Sequence, residues 1–339
     1  MMIDFTMELE DLDSPAVIVN IDQLEENIGE LQHYMDKHDI LNRPHIKTHK
    51  ITEIASMQLG AGAIGVTCQK LSEAEVMLAS GIDNILIPYN IVGPIKLQRL
   101  IQLARKGKLA VTADSEHVVR GLEGAFSAAG LNLEVLVEFD TGMGRCGART
   151  PSKTAELANL IVSSPHLNFG GLMTYPCNNL TDGFVLQVKS MLQESGVRVT
   201  RVSAGGTECM LEVHKHPEVT EYRAGTYVYG DLHTVSTGAM NIDQCALRVM
   251  TTVVSTPTPD RAIIDAGSKA LSSDLLGLEG YGYVTNYPEA LIYSQSEEHG
   301  HVDVSSCDKY PEVGEQLEII PNHSCSVTNL YDVVYGIRG

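Results

Sequence analysis

Short runs of β-branched and apolar residues alternate with amphipathic helical segments along the first two thirds of the chain. This alternation is typical of a parallel sheet, because parallel strands need a crossover connection that is usually a helix. We predict eight strands, at 44–47, 63–67, 84–88, 109–113, 133–139, 168–173, 199–203 and 222–228. Eight strand–helix units predict an α/β fold with a closed (β/α)8 TIM-like barrel, and a doubly wound open sheet is the alternative.

The sequence pattern changes near residue 245. Strands predicted at 247–254, 261–265, 291–294 and 316–320 follow one another with turn residues between them and without a long helical pattern. Such a series is typical of a smaller β domain. Residues 15–20 form a further predicted strand, which we assign to this domain, and an amphipathic helix follows from about Asp22. The predicted domains are therefore a barrel over 21–244 and a β domain made of 1–20 and 245–339.

The composition argues against several classes of partner. The formal net charge is −19 at pH 7, whereas proteins that bind a phosphate backbone carry clustered Lys and Arg. The apolar runs are far too short to span a bilayer, and residues 1–13 lack the basic and apolar segments of a signal peptide. The 7 cysteines include no close CxxC pair and suit a reducing compartment. We expect a cytoplasmic protein without a nucleic-acid or membrane partner.

Residues with reactive or anion-binding groups follow the predicted strands. In a (β/α)8 barrel the active site lies at the carboxyl ends of the strands, so we expect these residues to converge there. They are Lys47 after strand 1, Gln69 after strand 2, Asp140–Gly147 after strand 5, Tyr175 after strand 6, Ser203–Thr207 after strand 7, and Arg223–Tyr227 at strand 8.

A lysine and a glycine-containing loop on one barrel rim suggest a cofactor. The loop from Ser203 to Thr207 offers backbone N–H groups and two hydroxyls to an anion, and we expect it to lead into a helix. Alone, the loop is more typical of a turn and Lys47 of a surface lysine. Together they suit pyridoxal 5′-phosphate, which needs an amine for a Schiff base and an anchor for its phosphate.

Three segments carry a resemblance to a known family. They are Arg43-Pro44-His45-Ile46-Lys47-Thr48-His49-Lys50, Cys68–Glu75 and Asp140–Gly147. The chain resembles the D-threonine aldolase and D-serine dehydratase family, which has the alanine racemase fold type, over nearly its whole length. The resemblance implies that Lys47, not Lys50, carries pyridoxal 5′-phosphate and that Tyr175 is an active-site tyrosine. It also implies cofactor contacts for Gln69, for Arg145 at the phenolic oxygen, and at the phosphate for Ser203, Gly205, Gly206, Gly225 and Thr226.

Arg223 matches the arginine that faces the pyridine nitrogen in alanine racemases. A permanent positive charge there would disfavour protonation of the ring nitrogen and weaken the cofactor as an electron sink. A metal ion could supply the missing electrophilic assistance. The alternative is a salt bridge between Arg223 and an acid at the barrel mouth.

A second group of candidate residues lies in the predicted β domain. His323 and Cys325 fall in Pro321–Asn329, which resembles the metal-binding segment of the family, and on an extended chain both side chains would point to the same side. Imidazole plus thiolate favours zinc, with manganese or magnesium as alternatives because some D-threonine aldolases have His-x-Asp here. Glu298-His299-Gly300 also resembles a family segment, which makes His299 a candidate base.

The resemblance implies a lyase that acts on D-amino acids with a 3-hydroxyl group. We place D-threonine aldolase first, because the segment from Gly65 to Pro94 is more similar to the aldolases. The alternative is a D-serine or D-3-hydroxyaspartate dehydratase, whose pattern is His-x-Cys. An amino-acid racemase would need a second acid/base, for which no tyrosine matches a motif, and a non-enzymatic cofactor carrier would be a single barrel. By analogy we expect a homodimer.

Overall fold

The computed structural model describes residues 12–338. The acidic residues 1–11, which belong to the segment predicted to lack a signal peptide, lie outside the described residues. The chain divides into two compact units. One unit is Gly29–Gly225, and the other comprises the residues through Ile28 together with those from Thr226 onwards. The predicted domain boundaries near residues 20 and 245 stay a prediction.

The strands in chain order are β1 (Ala16–Asn20), β2 (Leu41–Asn42), β3 (Val66–Thr67), β4 (Asn84–Asn90), β5 (Lys108–Ala113), β6 (Leu133–Phe139), β7 (Leu167–Thr174), β8 (Val202–Gly205), β9 (Glu221–Arg223), β10 (Leu247–Thr258), β11 (Arg261–Ile264), β12 (Tyr283–Val284), β13 (Leu291–Gln295), β14 (Gly300–Asp303), β15 (Gln316–Ile320) and β16 (Val334–Ile337).

The α-helices are α1 (Ile21–Lys37), α2 (Thr52–Ala61), α3 (Leu71–Ala79), α4 (Pro94–Ala104), α5 (Glu116–Ala129), α6 (Pro151–Val162), α7 (Thr181–Gln193), α8 (Leu232–Ser236), α9 (Ser268–Leu271) and α10 (Ser324–Thr328). None of the described helices combines the length and the apolar character that a membrane span requires.

The unit Gly29–Gly225 contains the predicted barrel. Its eight strands pair in parallel in the order β2-β9-β8-β7-β6-β5-β4-β3. A parallel bridge between His45 and Thr67 joins the two ends of this order, supported by a 2.8 Å hydrogen bond from the Thr67 amide to the Pro44 carbonyl. The closed (β/α)8 barrel is therefore confirmed over the open-sheet alternative.

The predicted strand ends differ from the observed ones where the chain enters the rim. The prediction at 133–139 coincides with β6, but the strand predicted at 44–47 is wrong. The paired strand is β2, and Ile46–Thr48 forms a 3₁₀ turn. Pro44 has no N–H to donate to a ladder, so regular pairing stops before it. The strand predicted at 222–228 likewise ends at Arg223, and Thr226–Val228 forms a second 3₁₀ turn.

The other unit contains the predicted β sheet. Its path runs β12-β15-β10-β11-β14-β13, and β1 pairs antiparallel with β10 and parallel with β16. A buried cluster of Leu12, Ala16, Ile18 and Met250 packs on the face shared by β1 and β10. The sequence analysis missed β12, β14 and β16, which are short strands of two to four residues with little periodic signal.

A buried ionic network crosses the interior of the barrel. Glu221 on β9 accepts a 2.9 Å bond from Nε of Arg43 and a 2.8 Å bond from Nη2 of Arg201, and its side chain is 1% exposed. The Ser203 hydroxyl donates to the same carboxylate at 2.7 Å. Burial raises the pKa of Glu221, but the two guanidinium groups and these hydrogen bonds outweigh it, so the pKa lies below its ordinary value. Glu221 is therefore charged at neutral pH.

We predict that Glu221→Gln lowers the free energy of unfolding by about 3–5 kcal/mol, because it leaves the buried Arg43 guanidinium without its counter-charge and Arg201 with Glu134 alone. The matched control is Glu75→Gln, which breaks a bidentate pair with Arg99 whose side chains are both 41% exposed. We expect that change to cost about 0–1 kcal/mol. Denaturant titration of both variants measures the difference, and equal losses would contradict the prediction.

The same variant has an expected pH dependence. A carboxylate with a lowered pKa stabilises the fold above its unfolded-state pKa, and the contribution is lost as the pH falls through its lower folded-state value. The stability difference between the wild type and Glu221→Gln should therefore narrow as the pH drops below about 4.

Candidate active site

Lys47 lies on the 3₁₀ turn that follows the first barrel strand. Its neighbours Ile46 and Thr48 are fully buried, whereas the Lys47 side chain is exposed. The Lys47 amide donates a 3.3 Å hydrogen bond to Nδ1 of His45, which helps to shape the turn. The turn anchors the backbone on both sides of an accessible amine.

His45 and Gln69 meet beside this turn. Nε2 of His45 donates to Oε1 of Gln69 at 3.1 Å, and His45 is 7% exposed. Burial, followed by the positive charges of Lys47 and Arg223, holds the pKa of His45 well below its ordinary value. His45 is thus a neutral imidazole, and the structure brings Lys47, Gln69 and Arg223 into one electrostatic neighbourhood.

Arg223 is buried and held by two hydrogen bonds. Its Nε donates to the Ser203 hydroxyl at 2.9 Å and its Nη2 donates to the Thr174 carbonyl at 2.7 Å. Burial lowers the pKa of Arg223 to about 10, while Glu221 opposes the shift, so the group stays charged at neutral pH. The Ser203 hydroxyl links Arg223 to Glu221 in the barrel interior. A contact between Ser203 and the cofactor phosphate stays a prediction.

Arg145 and Tyr175 are brought together across two neighbouring strand ends. The Asp140 carboxylate accepts hydrogen bonds from the amides of Gly142 and Gly144, which curls the loop after β6. The guanidinium carbon of Arg145 then lies 5.1 Å from the centroid of the Tyr175 ring, a cation–π arrangement. Tyr175 follows β7 directly.

Three buried glycines allow the chain to pack closely near these groups. A Cβ on Gly206, at φ +126°, would lie 2.9 Å from Oε2 of Glu208, and one on Gly225 would lie 3.1 Å from the His45 carbonyl. A Cβ on Gly205 would lie 3.1 Å from the Arg223 carbonyl. The loop after β8 continues as a turn and not as the expected helix, so backbone N–H groups, and not a helix dipole, are the available anion donors.

These residues fit pyridoxal 5′-phosphate. The barrel rim combines an exposed amine, a glycine-containing loop whose backbone N–H groups can donate to a phosphate, and a buried guanidinium that is fixed in orientation. Thr226, also assigned to the phosphate, begins the 3₁₀ turn Thr226–Val228 in the other unit.

Sequence analysis missed Glu138, which shares the electrostatic environment of the two arginines. It is 6% exposed near the end of β6. Burial raises its pKa to about 7, and the charges of Arg223 and Arg145 oppose the shift. The available signal was a charged residue at a buried position of an otherwise apolar strand, which is uncommon without a role in charge balance.

His323 and Cys325 lie at the start of a short helix, and the expectation of an extended chain is wrong. His323 precedes α10 as its N-cap residue, and Cys325 lies in the first turn. Their side chains nevertheless meet, because the hydrogen bond with Cys325 is the main cause that raises the pKa of His323 to about 9. The Thr226 hydroxyl lies 3.6 Å from Sγ of Cys325.

Two aspartates that the sequence analysis missed support this pair. Nδ1 of His323 donates to Oδ2 of Asp274 at 2.8 Å, and the Ser326 hydroxyl donates to the same oxygen. Asp231, which is 1% exposed, accepts from the amide of Ser324 at 3.0 Å. The only available signal was the presence of acids in polar segments, which does not predict their partners.

The pair fits a zinc ion as a partial donor set. One imidazole and one thiol are the donors that zinc prefers, and here the two side chains lie within hydrogen-bonding reach of each other. Across residues 12–338, no group of three or more His, Cys, Asp or Glu side chains is arranged to hold a metal ion.

His299 lies in an exposed turn between β13 and β14. Its carbonyl accepts a 2.8 Å hydrogen bond from the Ser296 amide, which closes the turn. The neighbouring Glu298 pairs with Lys269 at 2.7 Å, and both side chains are more than 60% exposed. The described contacts of His299 are those of a turn residue, and its catalytic role stays a prediction.

Comparisons with known proteins cover nearly the whole chain. Residues 19–233 match the family described as the N-terminal domain of alanine racemase, and residues 246–337 match a putative serine dehydratase domain. A D-threonine aldolase from Arthrobacter sp. is 33% identical over 96% of this chain and 89% of its own length. A D-threo-3-hydroxyaspartate dehydratase from Delftia sp. is 29% identical over 93% and 91%.

Solved structures share the fold. The D-threonine aldolase from Filomicrobium marinum superposes with a TM-score of 0.89 at 30% identity, over 98% of this chain and 93% of that one. The dehydratase from Delftia sp. superposes with a TM-score of 0.88 at 27% identity, over 97% and 95%. Structures of D-threo-3-hydroxyaspartate dehydratase include a histidine-to-alanine variant and, two positions further along, a cysteine-to-alanine variant in a metal-free form.

The similarity extends over both units at an identity that establishes common descent. The chain belongs to the D-threonine aldolase and D-serine dehydratase family of pyridoxal-phosphate-dependent lyases, which has the alanine racemase fold.

Proposed function

We propose that this protein is a lyase, dependent on pyridoxal 5′-phosphate and a divalent metal, that cleaves D-3-hydroxy amino acids. The leading reaction is that of a D-threonine aldolase, which splits D-threonine into glycine and acetaldehyde. The observation that carries this choice is the similarity to a D-threonine aldolase, at 33% identity over 96% of the chain. We also propose a cytoplasmic homodimer.

The residues of the barrel rim have distinct roles in this proposal. When bound, pyridoxal 5′-phosphate withdraws electrons from the α-carbon of an amino acid. Lys47 would hold the cofactor covalently, and its amine can accept or return a proton. The backbone at Gly205, Gly206 and Gly225 would bind the phosphate end. Arg223 would keep a positive charge at the ring nitrogen, since Ser203 and the Thr174 carbonyl fix its guanidinium.

The polar side chains around that core complete the cofactor site in the proposal. Arg145 would contact the phenolic oxygen, with its guanidinium oriented against the Tyr175 ring. Gln69, held by the neutral His45, would contact the cofactor, and Thr226 would add a hydroxyl to the phosphate. His299 is the candidate base that would remove the proton of the substrate hydroxyl, as required to break the Cα–Cβ bond.

His323 and Cys325 would hold the metal, most suitably zinc, with manganese or magnesium as alternatives. Their spacing equals that of the two variants reported for the dehydratase, of which the cysteine variant is in a metal-free form. A metal at this pair would act as a Lewis acid toward the 3-hydroxyl of the substrate.

The same histidine–cysteine spacing favours a second candidate, a D-serine or D-3-hydroxyaspartate dehydratase. In that reaction the α-proton is removed, Lys47 being the candidate base, and the 3-hydroxyl leaves. The two reactions differ in which bond to the α-carbon is aligned for cleavage, and that alignment depends on how the carboxylate and the hydroxyl of the substrate are held.

We predict that D-threonine yields glycine and acetaldehyde without stoichiometric ammonia. The products are measured after incubation with each of four substrates: D-threonine, D-serine, D-3-hydroxyaspartate and L-threonine. The products to quantify are glycine, acetaldehyde, ammonia and 2-oxo acids. L-Threonine is the stereochemical control and should not react. Ammonia and a 2-oxo acid from D-serine or D-3-hydroxyaspartate, with no glycine from D-threonine, would instead support the dehydratase.

We predict that Lys47→Ala lowers turnover by at least about 10³-fold, because the variant loses both the covalent link and a proton-transfer group. Lys50→Ala, which removes an exposed lysine three positions further along the chain, is the matched control and should retain activity. Borohydride reduction of the wild type followed by digestion should label the peptide at Lys47 alone. A label on Lys50 would contradict the assignment.

We predict that His323→Ala and Cys325→Ala each lower kcat/KM by about 10²-fold or more and leave the visible absorption of the bound cofactor in place. Cys307→Ala, which removes a thiol elsewhere in the same unit, is the control. Metal analysis and activity before and after exhaustive chelation measure the effect. Full activity of the wild type with no metal present would refute the metal-dependent part of the proposal.

A further inference from the structure

The imidazole of His323 contacts Asp274 and Ser326 through Nδ1, and the side chain also hydrogen-bonds Cys325. Its Nδ1 donates to Oδ2 of Asp274 at 2.8 Å, and the Ser326 hydroxyl, which donates to the same oxygen, lies 3.1 Å from Nδ1. Since a carboxylate without a proton can only accept, this contact places the ring proton on Nδ1. The lone pair of the neutral ring is therefore on Nε2.

Asp274 is held in this position by contacts outside the imidazole. It lies in the segment after α9, and it precedes His323 by 49 positions. The buried Asn322 side chain donates to the Asp274 carbonyl at 3.2 Å and to the Gly280 carbonyl at 2.9 Å, which ties this segment to the residue before His323. The carboxylate is thus fixed relative to the ring from two directions.

The following helix is anchored separately. Asp231 accepts from the amide of Ser324 through Oδ2 and from the amide of Thr234 through Oδ1. The backbone that leads into Cys325 is therefore fixed by Asp231. Asp274 fixes the orientation of the His323 ring.

We propose that Asp274 is the positioning residue that makes His323 a metal ligand through Nε2. This inference rests on the proposed function, because it assigns a metal to His323 and Cys325. A carboxylate on the N–H of a histidine fixes the tautomer and ring orientation and increases the basicity of the other nitrogen. Asp274 is not itself a ligand, because its bonded oxygen lies at the opposite edge of the ring from Nε2.

The experiment measures zinc affinity of the cofactor-loaded full chain by competition with a chromophoric chelator. Asp274→Ala should bind zinc about 10–100-fold more weakly than the wild type, and Asp274→Asn, which keeps an acceptor oxygen, should lose less. Asp260→Asn is the matched control, because this exposed carboxylate also accepts from a hydroxyl, that of Thr258, in the same unit. Its zinc affinity should equal that of the wild type.

Two further readouts separate positioning from general damage. With cobalt substituted at saturation, Asp274→Ala should keep the thiolate-to-metal charge-transfer band of Cys325, and its kcat should approach the wild-type value as metal is raised. The thermal midpoint of the metal-free variant should match that of Asp260→Asn. A zinc affinity of Asp274→Ala within twofold of the wild type would overturn this inference alone. A wild type that binds no zinc or cobalt would overturn the metal assignment in the proposed function together with it.

Discussion

The buried carboxylate of Glu221 holds the arginines in the interior of the barrel. It is the shared acceptor for Arg43, Arg201 and the Ser203 hydroxyl, and Ser203 in turn accepts from Arg223. Buried charges are tolerated only when they are paired and hydrogen-bonded, so each of these groups requires the others. A charged arginine can therefore be held in the barrel interior, where burial alone would favour its loss of charge.

In the unit that contains the β sheet, two carboxylates also hold neighbouring groups in place. Asp231 fixes the backbone at Ser324, and Asp274 fixes the ring of His323. In each unit an acid without a proposed chemical role helps to orient a side chain that has one: Glu221 acts on Arg223 through Ser203, and Asp274 acts on His323. Orientation of this kind matters because a reacting group displaced by about 1 Å can lose about 10²-fold in rate.

The two reactions known among the relatives, aldol cleavage and dehydration, need the same inventory of groups. Each requires an amine, an electron-withdrawing cofactor and assistance at the 3-hydroxyl, and the chain offers Lys47, a cofactor site and the pair His323 and Cys325. Overall similarity favours the aldolases, while the histidine–cysteine spacing is shared with a dehydratase. Because both reactions need the same groups, residue types alone do not separate them.

Local periodicity by itself determined the alternation of strands and helices and the later β-rich part, because side-chain spacing reports which faces are buried, but it misplaced the first barrel strand. Resemblance to family segments singled out Lys47, His323 and Cys325. Only the tertiary structure decided that Lys47 lies on a 3₁₀ turn, that Cys325 lies on a helix, and that Glu221 and Asp274 are the supporting acids. These features depend on contacts between residues far apart in the chain, such as the 49 positions that separate Asp274 from His323, and no local pattern encodes such contacts.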